Sequence, residues 1–282
     1  MTDINPLIED SFFSDSETED TIWASYWKTG YKQDPGSRKE QQDRIGLATG
    51  KYHGKTALLA VLADGMGGMK NGAEFSRITV DYHCEHFQEI LDQIEPLSGV
   101  LLALALKANA EANKIYDEDN PGGTTLISAL LIDHCFYSLS VGDSRIVLFR
   151  KNDRLNRFAP LQINREHLLG AALDERAWMG FIAREDAEEN MFRNSLTSCI
   201  GLPKVKRLDF SDYPTRLIPG DRLLLMSDGV FKTVPETELA GHLENDPQTA
   251  ANLIIEDVCS RGAKSQDNMS VIIIENRGDC YF

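Results

Sequence analysis

The chain has 282 residues, and its 29 Lys and Arg against 44 Asp and Glu give a formal net charge of −15. This acidic balance argues against a nucleic-acid partner, because binding to a phosphate backbone requires a basic surface. The 42% of hydrophobic residues is typical of a folded globular protein rather than a disordered or fibrous chain. No apolar stretch approaches the roughly 20 residues that cross a bilayer, so no membrane partner is expected.

The cysteines and the N-terminus favour a cytoplasmic protein. The five cysteines are far apart in the sequence and form no CxxC pair, as expected in a reducing compartment. Residues 1–20 hold seven acids and no base, the reverse of an export signal, and are predicted to form a separate acidic arm. We expect this arm to be a mobile terminus, although Phe12 and Phe13 leave open that it packs on its own domain or on a partner.

Strand and helix patterns fill one predicted domain, residues 21–276, which leaves a short tail at 277–282. Strand patterns occur at 22–27, 43–48, 57–63, 124–132, 136–141, 145–149, 222–226 and 269–274. Helical spacing of apolar residues occurs at 71–91, 97–116, 236–243 and 247–260. A polar insert with weak periodicity lies at 155–195. Because the helices are grouped rather than alternating with single strands, an α+β layered sandwich is favoured over a doubly wound parallel sheet.

Four aspartates stand at the edges of predicted strands, namely Asp43, Asp64, Asp228 and Asp267. Asp64 ends an apolar run and is followed by three glycines within four residues, which lets the backbone approach a ligand closely. Asp-Gly hairpin turns are the alternative for Asp64 and Asp228, but a predicted helix rather than a pairing strand follows Asp64. Because hard divalent cations prefer carboxylate, carbonyl and water oxygens, the pattern predicts a Mg²⁺ or Mn²⁺ site.

Other chemistries have weaker support in the sequence. His53, His134, His167 and His242 are isolated and no HExxH motif occurs, so a histidine-based zinc site is disfavoured. The phosphate-binding patterns GxxxxGK[ST] and GxGxxG are absent, which argues against a nucleotide-binding domain. There is also no GxSxG nucleophile elbow.

Seven short motifs follow one another along the chain, at residues 36–43, 61–68, 123–126, 141–145, 196–201, 227–230 and 267–270. The longest of them reads Val61-Leu62-Ala63-Asp64-Gly65-Met66-Gly67-Gly68, and another reads Ser227-Asp228-Gly229-Val230. In these motifs the chain resembles the compact bacterial form of the protein phosphatase 2C family of metal-dependent Ser/Thr phosphatases. Each motif alone is weak, but seven in the same order are specific.

The resemblance implies a four-layer α-β-β-α sandwich of the α+β class, with two central, mainly antiparallel sheets flanked by helices. It implies two or three divalent ions, Mn²⁺ or Mg²⁺, held by Asp43, Asp64, Asp228 and Asp267 and by the backbone carbonyl of Gly65. Asp143 falls where bacterial members bind a third, weaker metal, and a salt bridge or turn role for this residue is the alternative. Arg38 matches the arginine that grips the substrate phosphate.

The implied activity is hydrolysis of phosphoserine and phosphothreonine by a metal-activated water, with Arg38, Asp64 and Asp228 as catalytic residues. Residues 21–276 would be the phosphatase catalytic domain, acting on phosphorylated proteins such as a cognate kinase or its substrates. We expect a monomer. A phosphatase-like scaffold that only binds partners and a phosphomonoesterase for small molecules remain the alternatives.

Residue 66 departs from the family pattern in a way that bears on the chemistry, and the insert bears on substrate choice. Met66 stands where many eukaryotic relatives have a histidine proposed to protonate the leaving alkoxide, so water or another group must fill that role. The insert at 155–195 resembles a flap beside the cleft of bacterial relatives, and its substitutions are expected to alter substrate choice more than chemistry.

Overall fold

Residues 12–13, 26–66, 71–117, 122–152, 157–261 and 265–278 are described by the structure, which is a computed structural model. Twelve strands occur in this part of the chain, in the order β1 (Phe12–Phe13), β2 (Trp27–Asp34), β3 (Asp43–Tyr52), β4 (Lys55–Asp64), β5 (Leu126–Ile132), β6 (Cys135–Val141), β7 (Arg145–Asn152), β8 (Arg157–Gln162), β9 (Asp209–Phe210), β10 (Thr215–Arg216), β11 (Arg222–Met226) and β12 (Met269–Asn276).

The same part of the chain contains eight α-helices, α1 (Gly72–Glu85), α2 (Phe87–Gln93), α3 (Ser98–Ala112), α4 (Leu169–Trp178), α5 (Arg184–Glu188), α6 (Asp228–Phe231), α7 (Glu236–Leu239) and α8 (Pro247–Ser260). Short 3₁₀ turns follow α3 at Asn113–Ile115 and α7 at His242–Glu244. None of the helices in the described ranges is long and apolar enough to span a membrane.

The strands form two sheets. One has the order β1-β3-β4-β5-β6-β10, with β9 also pairing with β6, and the other has the order β2-β12-β11-β7-β8. All described strand pairs are antiparallel except β1 with β3. Together with the helices on the outer faces, this confirms the expected α+β sandwich.

Three apolar cores lie between the four layers. Phe75 and Leu104 of the helices α1 and α3 pack against the first sheet, while Ile254 of α8 packs against the second. A middle core joins the two sheets. In β12, Ile273 lies in the outer core and Ile272 in the middle core. Both faces of the strand are therefore buried, which explains why its sequence is a continuous apolar run without alternation.

The helix predicted at 71–91 is two helices, because the chain bends at His86 between α1 and α2. The bend places α2 over β3, where a Cβ at Gly50 would lie 3.1 Å from Phe87 and 3.3 Å from Leu91. Since neither glycine nor proline marks the bend, the apolar spacing alone predicted one continuous helix.

The first part of the insert at 155–195 forms a strand of the second sheet. β8 pairs with β7 along the sheet edge and buries one large apolar side chain, Phe158. After it, α4 and α5 form a separate helical segment whose base is closed by a bridge between Leu168 and Leu196. Trp178 of this segment is 86% exposed.

The N-terminal arm contributes one described element. The backbone of β1 runs parallel to β3, with Phe12 opposite Gly46 and Phe13 opposite Leu47. The remaining arm residues, 1–11 and 14–20, lie outside the described residues. The role of the arm therefore stays a prediction.

Candidate active site

Asp43 begins β3 and Asp64 ends β4, and the two residues lie directly opposite each other in the antiparallel pair. Directly opposite residues of paired strands have their side chains on the same face of the sheet. The register therefore brings together two of the predicted metal ligands. Asp43 is 1% exposed, so its carboxylate is removed from water.

Two serines of the second sheet fix the Asp43 carboxylate. Its Oδ2 accepts hydrogen bonds from Ser227 Oγ and Ser270 Oγ, each at 2.7 Å. Its Oδ1 is buried and receives no hydrogen bond from any donor in the described residues. The serines thus orient the carboxylate and leave one oxygen available for another ligand.

Burial and crowding shift the acidity of both carboxylates. Burial raises the pKa of Asp43 to about 6, although the two serine hydrogen bonds work in the opposite direction. Burial also raises the pKa of Asp64 well above its ordinary value, and the negative charges of Asp43, Asp228 and Asp143 add to this effect. Such a group of acids needs positive charge to remain ionised at neutral pH.

The donor set fits a hard divalent cation. No three His, Cys, Asp or Glu side chains within the described ranges stand close enough to enclose an ion by themselves. Mg²⁺ is usually held by one or two carboxylates and keeps several waters, so an arrangement of paired aspartates suits it. The buried Oδ1 of Asp43, which has no donor in the part of the chain that the structure describes, is an oxygen that such an ion would satisfy.

The turn after Asp64 admits only glycine at position 65. A Cβ at Gly65 would lie 2.5 Å from the Gly72 carbonyl oxygen and 2.7 Å from that of Gln42. Asp64 is held by Thr125, whose Oγ1 accepts from the Asp64 N–H at 3.0 Å and whose N–H donates to the Asp64 carbonyl at 2.8 Å. Close packing and hydrogen bonds to Thr125 therefore fix the backbone of Asp64 and Gly65, two of the predicted metal ligands.

The side chain of Lys232 lies close to both Asp143 and Asp228. Asp143 lies in the turn between β6 of the first sheet and β7 of the second, and Asp228 begins α6 directly after β11. Lys232 Nζ contacts Asp228 Oδ2 and lies 3.6 Å from Asp143 Oδ2. Burial, and then the charge of Asp228, raises the pKa of Asp143 to about 6. An ion pair is one of the two predicted roles of Asp143, the other being a metal ligand.

Two residues at the base of the insert hold the Asp143 turn. His167 Nδ1 accepts from the Gly142 N–H at 3.0 Å, and the His167 N–H donates to the Gly142 carbonyl at 2.8 Å. Asn164 accepts from the Ile146 N–H at 2.7 Å and donates to the Ser144 carbonyl at 2.9 Å. Burial lowers the pKa of His167, which suits a neutral ring that accepts a hydrogen bond. His167 is thus a structural residue.

Arg38 and Asp267 contact each other at the rim of the site. Arg38 Nη2 donates to Asp267 Oδ2 at 2.8 Å, and the two side chains are 47% and 43% exposed. The neighbouring Asn268 amide donates to the carbonyls of Pro35 and Glu40, each at 3.0 Å. It thereby holds the loop that carries Arg38 against the start of β12.

Sequence reasoning did not single out the residues that position the carboxylates. Ser227, Ser270, Thr125 and Asn268 all lie inside the recognised motifs, so the signal was a small polar residue beside each predicted acid.

Met66 contributes a backbone N–H that donates to Gly123 O at 3.0 Å. Its thioether has no proton to transfer, so it cannot replace the histidine of relatives.

The described geometry can be compared with known proteins. The family model for protein phosphatase 2C matches residues 37–268. The serine/threonine phosphatase stp of Listeria monocytogenes is 29% identical over 225 residues, covering 77% of this chain and 84% of that protein. The serine/threonine phosphatase of S. agalactiae superposes with a TM-score of 0.73 at 25% identity, covering 89% of this chain and 99% of that one.

A further solved structure has the same fold. The catalytic domain of the serine/threonine protein phosphatase PstP, in complex with two manganese ions, has a TM-score of 0.64 at 23% identity and covers 88% of this chain and 97% of that one. The family match extends from the loop of Arg38 into the motif that contains Asp267, and it spans most of the chain. The chain belongs to the protein phosphatase 2C family of metal-dependent serine/threonine phosphatases.

Proposed function

We propose that this chain hydrolyses phosphoserine and phosphothreonine in proteins with two divalent ions, Mn²⁺ or Mg²⁺, held by Asp43, Asp64, Asp228 and Asp267. One observation carries the proposal: Asp43 lies opposite Asp64, is buried, and keeps one carboxylate oxygen that no donor within the described ranges bonds. Burying two carboxylates together is costly unless a cation compensates their charge. The PstP structure with two manganese ions has this fold and supports the number of ions.

Each residue has a distinct proposed role. Asp64 and the carbonyl of Gly65 hold an ion at the end of β4, and Asp228 and Asp267 contribute from the second sheet. Ser227 and Ser270 keep the free oxygen of Asp43 in position. When bound, the divalent ions would activate a water and neutralise charge on the phosphoryl oxygens.

Arg38 is proposed to bind the substrate phosphate. Its guanidinium is half exposed, and only one of its N–H groups is seen to bond Asp267. The remaining donors form a planar fork that suits two phosphate oxygens. The Asp267 carboxylate would thus hold the arginine in position at the rim before the substrate arrives.

A protein substrate is favoured by the helical segment of the insert. Trp178, Phe181 and Met191 in this segment are 86%, 70% and 86% exposed. The base of the segment adjoins His167, which holds the Asp143 turn. Exposed apolar side chains on a segment whose base adjoins the Asp143 turn suit a polypeptide more than a small polar phosphoester. We propose a monomer that acts on a kinase or on its substrates.

The substrate class can be tested with two phosphoesters. Purified protein with Mn²⁺ is offered a phosphothreonine peptide and p-nitrophenyl phosphate side by side. We expect a higher kcat/KM for the peptide. The surface variant Asp133→Asn, which affects only an ion pair with Lys55, serves as a matched control and should behave like the wild type. A kcat/KM that favours the small ester would support the phosphomonoesterase alternative, and turnover of neither would support a binding scaffold.

A further inference from the structure

Lys232 places an ammonium group between two carboxylates of the site. It follows Asp228 by one helical turn at the end of α6, and its Nζ contacts Asp228 Oδ2. The same Nζ lies 3.6 Å from Asp143 Oδ2, on the turn that connects the two sheets. One side chain therefore joins an acid of the β11–α6 segment to an acid that is distant in sequence.

The surroundings indicate why a cation is needed at this position. Asp143 is only 7% exposed, so its carboxylate is poorly solvated, and the negative charge of Asp228 acts on it as well. Arg145, two residues further on, forms ion pairs with Glu166 and Glu236 and stacks on Phe231 at 4.0 Å. Arg145 is therefore committed elsewhere, and the compensating charge comes from Lys232.

We propose that Lys232 is a built-in cation that takes the place between Asp143 and Asp228 where a third divalent ion would bind. This inference rests on the proposed function, because it assigns the number of ions in the same site. A divalent ion at Asp143 would have to expel the ammonium from both carboxylates, since two cations cannot share that space. The chain is therefore expected to hold two divalent ions and to lack a saturable third site.

Substitution of Lys232 should change the number of ions in a predictable direction. Lys232→Arg keeps the positive charge and should keep two ions. Lys232→Asp removes the cation and adds a carboxylate beside Asp143 and Asp228, so this variant should bind three. The side chain is 54% exposed, so these changes are expected to leave the fold intact, which thermal melting would check.

The test is a titration of the EDTA-treated, dialysed full chain with Mn²⁺. Bound ions are counted by calorimetry and by the electron paramagnetic resonance signal of free Mn²⁺. We expect two ions for wild type, for Lys232→Arg and for the control Lys151→Gln, whose lysine pairs with Glu244 on the surface. We expect three for Lys232→Asp, and two again when Asp143→Asn is added to it.

Different outcomes separate this inference from the proposed function. Three saturable ions in the wild type, or two in Lys232→Asp, would overturn the role of Lys232 while leaving a metal-dependent site. A third ion that persists in the Lys232→Asp, Asp143→Asn double variant binds elsewhere and would also overturn it. A wild type that binds no Mn²⁺ would overturn the proposed function itself.

Discussion

Asp43 and Asp64 are directly paired residues of two antiparallel strands, so two carboxylates face the same side of the sheet at its end. Asp43 is tied to the second sheet through Ser227, which follows β11, and through Ser270 of β12. The pair thus lies where both sheets meet, and packing holds its acids together in spite of their repulsion. This arrangement is unfavourable for stability without cations, and it links metal binding to folding.

The first prediction concerns the charge of Asp64. Asp64→Asn should abolish nearly all phosphopeptide hydrolysis. In the absence of metal it should melt at a higher temperature than wild type, because it removes a carboxylate whose charged form is disfavoured by burial and by the charges of Asp43, Asp228 and Asp143. Added Mn²⁺ should then raise the melting temperature of wild type more than that of the variant.

The readouts for Asp64 are thermal melting with and without Mn²⁺ and single-turnover kinetics. Asp133→Asn is the control, since it removes a surface carboxylate outside the site. A variant that retains most of its activity would remove Asp64 from the site. A lower melting temperature without metal would show that the carboxylate is not repelled by its neighbours.

The positions of the acids could be predicted from the sequence, whereas the residues that contact and orient them could not. Asp43 and Asp64 lie in motifs whose strand ends and glycines are visible along the chain. Ser270 reaches Asp43 from 227 residues away, and that contact depends on how the two sheets are stacked. Lys232 follows Asp228 by four residues in the sequence, but no local sequence pattern predicts that Asp143 lies beside it.

The same distinction holds for the fold. The continuous apolar runs of β11 and β12 predict strands, because they are short and bounded by turn residues. The sequence pattern does not predict the edge strand β8, since this strand buries only Phe158 and contains Pro160, which is unusual inside a sheet. Such an element is stabilised by pairing with β7 rather than by its own pattern.

The second prediction concerns the two serines that orient Asp43. Ser227→Ala and Ser270→Ala should each weaken Mn²⁺ binding by about 10- to 100-fold, as is typical when a residue that orients a metal ligand is removed. The double variant should be less than additive, because both hydroxyls bond the same oxygen. Calorimetric titration with Mn²⁺ measures the affinities. Ser260→Ala, on an exposed helix end, is the control. Unchanged affinity in both variants would refute the orienting role.

The third prediction concerns Arg38. Arg38→Ala should raise KM for a phosphothreonine peptide by about 10- to 100-fold with a smaller effect on kcat, since a charge-assisted hydrogen bond contributes roughly 1.5 to 3 kcal/mol. Steady-state kinetics with Arg261→Ala as a surface control would measure this. A fall in kcat at unchanged KM would mean instead that Arg38 acts on the transition state.

The fourth prediction concerns pH and a buried histidine outside the site. His83 Nδ1 bonds the Thr79 carbonyl at 2.7 Å, and its buried Nε2 lacks a partner among the described residues. Burial lowers the pKa of His83 from 6.5 to about 4. The unfolded chain therefore binds a proton at His83 more tightly than the folded chain does. The contribution of neutral His83 to the free energy of unfolding is complete above pH 6.5 and is lost as the pH falls towards 4.

The expected loss from His83 is roughly 3 kcal/mol of the free energy of unfolding. It can be measured by urea unfolding between pH 7 and pH 4. His83→Gln should flatten the pH dependence relative to wild type, whereas the exposed His53→Gln should not. Parallel curves for wild type and His83→Gln would contradict the assignment.

The central claim is that phosphate hydrolysis depends on divalent ions held by the opposed pair of Asp43 and Asp64. The most direct measurement follows phosphothreonine-peptide turnover and bound Mn²⁺ together while Mn²⁺ is returned to EDTA-stripped protein. We predict no turnover in the stripped protein and activity that rises with bound Mn²⁺ and saturates at two ions per chain. Full turnover in stripped protein, or saturation with Mn²⁺ without any turnover, would contradict the account.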